Sequence, residues 1–85
     1  MNQTTNPEIK DRVFYVYMNV KYLREKNGLS LKQMASVMNI KEKHLDLSEK
    51  CINFGYFNDE HIKIICSFFK VTPNMLFRKK LWENQ

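Results

Sequence analysis

Residues 23–40, LREKNGLSLKQMASVMNI, hold a helix stop and a helix start with almost nothing between them. Gly28 supplies the left-handed position that ends a helix without a Cβ penalty. Two residues later, Ser30-Leu31-Lys32-Gln33 has capping-box spacing: the Ser30 hydroxyl accepts the Gln33 N–H, and the Gln33 side chain accepts the N–H of Ser30. A helix therefore begins at Ser30. Its apolar face, Met34, Ala35, Val37 and Met38, is about two turns long before Asn39, which tolerates the left-handed region and makes a sharp bend. The spacing predicts a further helix from about Lys41 to Lys50. Ile40, His44 or Leu45, Ser48 and Ile52 mark its inner side, and Glu42, Lys43, Asp46 and Lys50 lie outward. Two short helices joined this tightly form a helix-turn-helix, a bracket that fixes the outer helix at one angle.

The flanking sequence supplies the body on which such a bracket is mounted. Asn6-Pro7-Glu8 reads as a helix start, followed by Val13, Phe14, Val16, Tyr17, Val20 and Leu23 at helical spacing. CINFGYF, residues 51–57, is expected to be a loop whose aromatics cover the core. Asn58-Asp59-Glu60 caps a fourth helix with Ile62, Ile65, Cys66 and Phe69 inside, and Lys70 closes it. Thr72-Pro73 opens a fifth with Leu76, Phe77 and Leu81 inside. Met34, Met38 and the Phe68-Phe69 pair read as core. The fold class expected is all-α, five helices in a single domain over residues 7–83, with 1–6 a disordered N-terminus. At 85 residues there is no room for a second domain.

Composition narrows the functional classes. No apolar run approaches the roughly 20 residues of a bilayer span, and the start MNQTTNPEIKDR has no signal region. Two cysteines do not make a disulfide framework, so a cytoplasmic protein is expected. His44, His61, Cys51 and Cys66 offer no CxxC or HxxxH spacing. Cys66 is read as a core thiol and His61 as exposed, so neither a metal nor a small-molecule cofactor is expected. With no nucleophile elbow, phosphate-binding glycine loop or paired acids, the chain is not read as an enzyme. The net charge of +5 and pI near 9.3 suit a polyanionic partner, but the charge is spread along the chain and does not itself argue for one.

LREKNGLSLKQMA, with Leu23, Arg24, Gly28, Leu29, Ser30 and Ala35 in matching positions, resembles the Cro and phage-repressor (xenobiotic-response-element) type of helix-turn-helix domain. IICSFFKVTPNMLF is similar to that family's closing pattern, and the resemblance covers roughly residues 19–77. It implies a lambda-repressor-like domain that regulates transcription by binding double-stranded DNA, with the helix of about residues 41–50 in the major groove. The matching base-reading positions are Lys41, Glu42, Lys43, Asp46 and Leu47, with Lys50 at the end of the same helix. Ser30, Lys32 and Gln33 are the implied backbone anchors. Several positions depart from the pattern: Leu31 replaces a phosphate-holding Gln, Asn39 a turn Gly, Ser48 an apolar residue and Cys51 a Gly, and the segment from Glu49 to Ile62 is about two residues longer.

Glu42 and Asp46 face a polyanion at an electrostatic cost unless they accept from a cytosine amino group or pair with a lysine; Lys43 with Asp46 at i, i+3 is the pair expected. The competing reading keeps the fold but uses a Glu42, Asp46 and Glu49 face to dock a basic protein. Phe14, Tyr15 and Tyr17 exceed one inner stripe, so a homodimer is expected, formed through the first helix or through FRKKLW.

Overall fold

The computed structural model describes residues 7–50 and 57–83, with side chains over 13–50 and 57–83. The chain forms five helices and a final 3-10 turn: α1 Pro7–Lys26, α2 Leu31–Met38, α3 Glu42–Glu49, α4 Asp59–Phe69, α5 Pro73–Arg78, and the turn Leu81–Glu83. The described residues contain no strand, so the class is all-α, as expected. Among them, no helix is long and apolar enough to cross a membrane. The expected disordered start, the Asn6 cap, and residues 51–56 of the expected loop, with Ile52 expected on the inner side, lie outside the described residues.

Three helices end by one device. Gly28, Asn39 and Lys70 are left-handed, with φ of 67°, 59° and 57°. In each case the next N–H reaches a carbonyl five residues back: Leu29 to Arg24, Ile40 to Ala35 and Val71 to Cys66, at 3.0, 3.0 and 3.1 Å. This satisfies carbonyls that the helix cannot and reverses the chain in about two residues. The starts are equally explicit. Ser30 and Gln33 form the reciprocal box at 3.0 and 2.8 Å. Thr72 Oγ1 accepts from the Met75 N–H at 3.1 Å, with Pro73 at the first helical position. Asn58 caps α4 through the His61 N–H, and His61 Nδ1 accepts the Asn58 N–H in return, so this half-buried histidine, expected to be exposed, is part of a capping box.

The core joins Val16, Tyr17, Val20 and Leu23 of α1 to Met34, Ala35 and Met38 of α2, Leu45 of α3, Ile65 of α4 and Leu76 of α5. Leu45 rather than His44 is the inner residue. Ser48, at an otherwise apolar position, is buried because its hydroxyl donates to the Leu45 carbonyl at 2.8 Å.

Asn19, which the spacing left unassigned, is fully buried. Its Nδ2 donates to the carbonyls of Leu76 at 2.7 Å and Lys79 at 2.8 Å, with Met75 at 3.4 Å, and its Oδ1 accepts the Leu81 N–H at 2.9 Å. A six-residue helix leaves most of its carbonyls without intrahelical partners, and one amide from α1 terminates α5 and starts the 3-10 turn.

Two further expectations need correction. Phe68 is not core: it is 51% exposed, because Ile65 and Phe69 take the inner side of α4. Leu81 belongs to the separate 3-10 turn and is only half-buried. The surplus aromatics of α1 are met within the chain. Tyr17 is buried beside Phe57, ring centroids 4.3 Å apart, while Phe14 and Tyr15 lie edge-on to Trp82 at 6.3 and 5.8 Å. Phe14 keeps 39% of its surface exposed beside Trp82.

Replacing Asn19 with Ala is expected to cost about 2 to 3 kcal/mol in urea unfolding, because buried carbonyls and the Leu81 N–H lose their partner; a loss near zero would contradict the role assigned to it. Lys70→Gly is expected to gain about 1 kcal/mol in the same assay, since glycine has no Cβ to strain at positive φ.

Candidate nucleic-acid interface

The bend at Asn39 lets α3 follow α2 with only Asn39, Ile40 and Lys41 between them. Ala35, 4% exposed, is part of the core shared by α2 and α3. The far end of α3 is held by Arg24. Its Nε donates to Glu49 Oε2 at 2.6 Å and its Nη2 to Glu49 Oε1 at 2.9 Å, while Nη1 donates to the Leu29 carbonyl at 2.8 Å. One guanidinium thus fixes the last residue of α3, the end of α1 and the α1–α2 bend together. The side chains of Arg24 and Glu49 are 15% and 8% exposed. The hydrogen-bonded Glu49 carboxylate, more than the opposing cost of burial, raises the Arg24 guanidinium above its ordinary value. Glu25 adds a looser contact at 3.7 Å.

Pinned at both ends, α3 turns its outer side away from the core. Lys41, Glu42 and Lys43 are all exposed in its first turn, and no side chain caps that start: Lys41 holds the capping position without a side-chain bond. Leu47 is half-buried farther along the helix. Asp46 pairs with Lys50 at 3.1 Å and i, i+4, rather than with Lys43 as expected. The acid precedes the base by four residues, the better helical arrangement. The pair leaves Lys41 and Lys43 against Glu42.

At the start of α2, Ser30, Lys32 and Gln33 are exposed. Ser30 and the Oε1 of Gln33 are committed to the capping box, leaving the Gln33 amide N–H groups and the Lys32 ammonium as outward donors. The sequence-derived site residues thus lie on two segments, the first turn of α2 and the outer side of α3, exposed except for half-buried Asp46 and Leu47. Glu49 does not share that surface, so the acidic face considered in the competing reading loses a member.

The sequence reading missed the Arg24–Glu49 pair. The 25 residues separating Arg24 from Glu49 leave no local signal of their contact.

No family model matches the chain, and neither a curated protein nor a solved structure was found that is similar to it.

Arg24→Ala and Glu49→Ala are each expected to cost roughly 2 to 3 kcal/mol, and the double variant clearly less than the sum, in a double-mutant cycle read by urea unfolding. Additive losses would show that the pair does not couple α1 to α3.

Proposed function

We propose that the chain is a sequence-specific DNA-binding transcriptional regulator, of the phage-repressor or antitoxin kind, whose helix α3 enters the major groove of double-stranded DNA. The observation that carries this reading is a short helix held by its two ends, with lysines in its exposed first turn. A major groove about 12 Å wide admits one helix, and reading base edges requires that helix at a fixed angle. The tight turn at Asn39 and the Arg24–Glu49 pair favour that rigidity, and the resemblance of residues 19–77 to the Cro and phage-repressor type points the same way.

In this reading Lys41 and Lys43 contact phosphates or guanine edges at the groove's lip. Glu42, between them, accepts from a cytosine amino group, and its charge is offset by the two lysines. Leu47 offers an apolar contact to a thymine methyl. Asp46 is neutralised by Lys50, so it adds little repulsion, and Lys50 keeps a polar edge toward the backbone. Lys32 and the Gln33 amide donate to phosphates on the α2 side, standing in for the Gln that Leu31 replaces. Phosphate contacts set register, and the α3 side chains carry sequence. The partner set is duplex DNA and a second copy of the chain, with no cofactor.

The competing reading, a domain of the same shape that docks a basic protein, is disfavoured by one observation. Glu49 is tied to Arg24 and Asp46 to Lys50, which leaves Glu42 as the only carboxylate of that face without a cation bound to it.

Fluorescence anisotropy with random-sequence duplex tests the proposal. Binding at about 50 mM salt is expected to weaken toward 200 mM with a slope corresponding to about 3 to 6 phosphates per protomer. The double variant Lys41→Glu, Lys43→Glu is expected to lose at least about tenfold in affinity. No binding at low salt, or indifference to the double change, would overturn the reading.

A further inference from the structure

Away from α3, the end of α1 and the reversal between α4 and α5 enclose an open cleft of about 410 Å³. Its floor is apolar, built from Tyr22, Val71 and Leu81, all half-buried. Phe68 forms one wall. At 51% exposed it is the most exposed large hydrophobic residue among those described, held edge-on against Phe69 at 4.9 Å. The same ring borders a second cleft of about 450 Å³ between α2 and α4, so it stands as a ridge between two concavities. Two cations complete the rim of the first cleft. The Lys26 ammonium lies 5.6 Å from the centroid of the Tyr22 ring, which keeps it beside the floor. Lys70 occupies the left-handed residue of the chain reversal, φ 57°, where glycine would be unstrained. Among the described residues, no carboxylate lines this cleft.

We propose that this cleft is a docking groove for an acidic, apolar-anchored peptide segment of a partner protein. An apolar floor with a protruding ring accepts one or two aliphatic or aromatic side chains, the usual anchor of a groove-bound segment. Lysines on the rim without acids between them select carboxylates on either side of that anchor. A second copy docked symmetrically through this cleft fits the charges poorly, because it would bring the Lys26 and Lys70 pairs of the two molecules together. A nucleic acid fits poorly as well, since two cations over a concave apolar floor supply little phosphate binding. The strain at Lys70 is consistent with a lysine kept for its charge at a position that backbone geometry would give to glycine. The inference does not depend on DNA binding, because none of its residues belongs to α2 or α3.

The test uses the full chain, isotope-labelled for amide NMR. The probe is a synthetic peptide in which Leu and Phe are separated by Glu, and its control carries Lys at each Glu. Saturable binding of the acidic peptide is expected, with amide shifts concentrated at Tyr22, Phe68 and Val71. Affinity is expected to fall at least about tenfold in Phe68→Ser and severalfold in Lys70→Gly. The second variant relieves backbone strain, so its loss of affinity cannot be a loss of fold. Equal binding of the Lys control, shifts elsewhere on the surface, full affinity in both variants, binding of a single-stranded oligonucleotide in this cleft, or self-association through it would each overturn the proposal.

Discussion

The placement of α3 depends on one guanidinium. Arg24 makes a two-pronged contact with Glu49 and a third hydrogen bond to the Leu29 carbonyl, and its own carbonyl accepts the Leu29 N–H. A fork of fixed planar geometry transmits orientation better than a point charge would, because two parallel N–H···O bonds constrain rotation as well as distance. Both side chains are largely out of water, so each needs the other: a lone Arg24 or Glu49 there would carry an uncompensated desolvation cost. The turn at Asn39 fixes where α3 starts, and Arg24 fixes where it ends. A helix of eight residues is too short to hold its own structure, so its angle to the rest of the domain comes from these two ends and from buried Leu45 and Ser48.

Asn19 does for the C-terminal part what Arg24 does for α3. Both residues are on α1, and both reach groups distant in sequence that no local partner could satisfy. Asn19 terminates α5 from inside the core, with its four hydrogen-bonding contacts replacing bonds that a longer helix would have made for itself. Helix α1 is thus the beam to which the other pieces are fastened. Between core-packed Val13 and Val16 it also brings Phe14 and Tyr15 to Trp82 in the last described turn.

The local grammar was readable and the long-range bonds were not. Ser30 with Gln33, Gly28, Asn39, Asn58 and Thr72-Pro73 announce boundaries because caps act over three or four residues, where spacing and chemistry leave few alternatives. Helical periodicity located Val16, Val20, Leu23, Met34, Met38, Ile65 and Leu76 in the core for the same reason. Asn19 looked like one more polar residue on a helix, since nothing near it betrays that its partners are about sixty residues away. Asp46 had two lysines within helical reach, Lys43 and Lys50, and it pairs with the one that follows it by four residues. Phe68 and Phe69 are adjacent, so a helix must send them in different directions, and the sequence alone does not say which one wins. The candidate site was legible as a set of positions at the surface; the clamp that orients it was not.

The central claim, that α3 is held so that its outer side chains read a DNA sequence, is tested most directly by selection from a random pool of duplex DNA with the folded chain. The account predicts enrichment of one sequence, arranged for a two-fold dimer as a palindrome with half-site centres about 34 Å apart, one helical turn. Repeated rounds that retain DNA without enriching any sequence, or retain none, would contradict it.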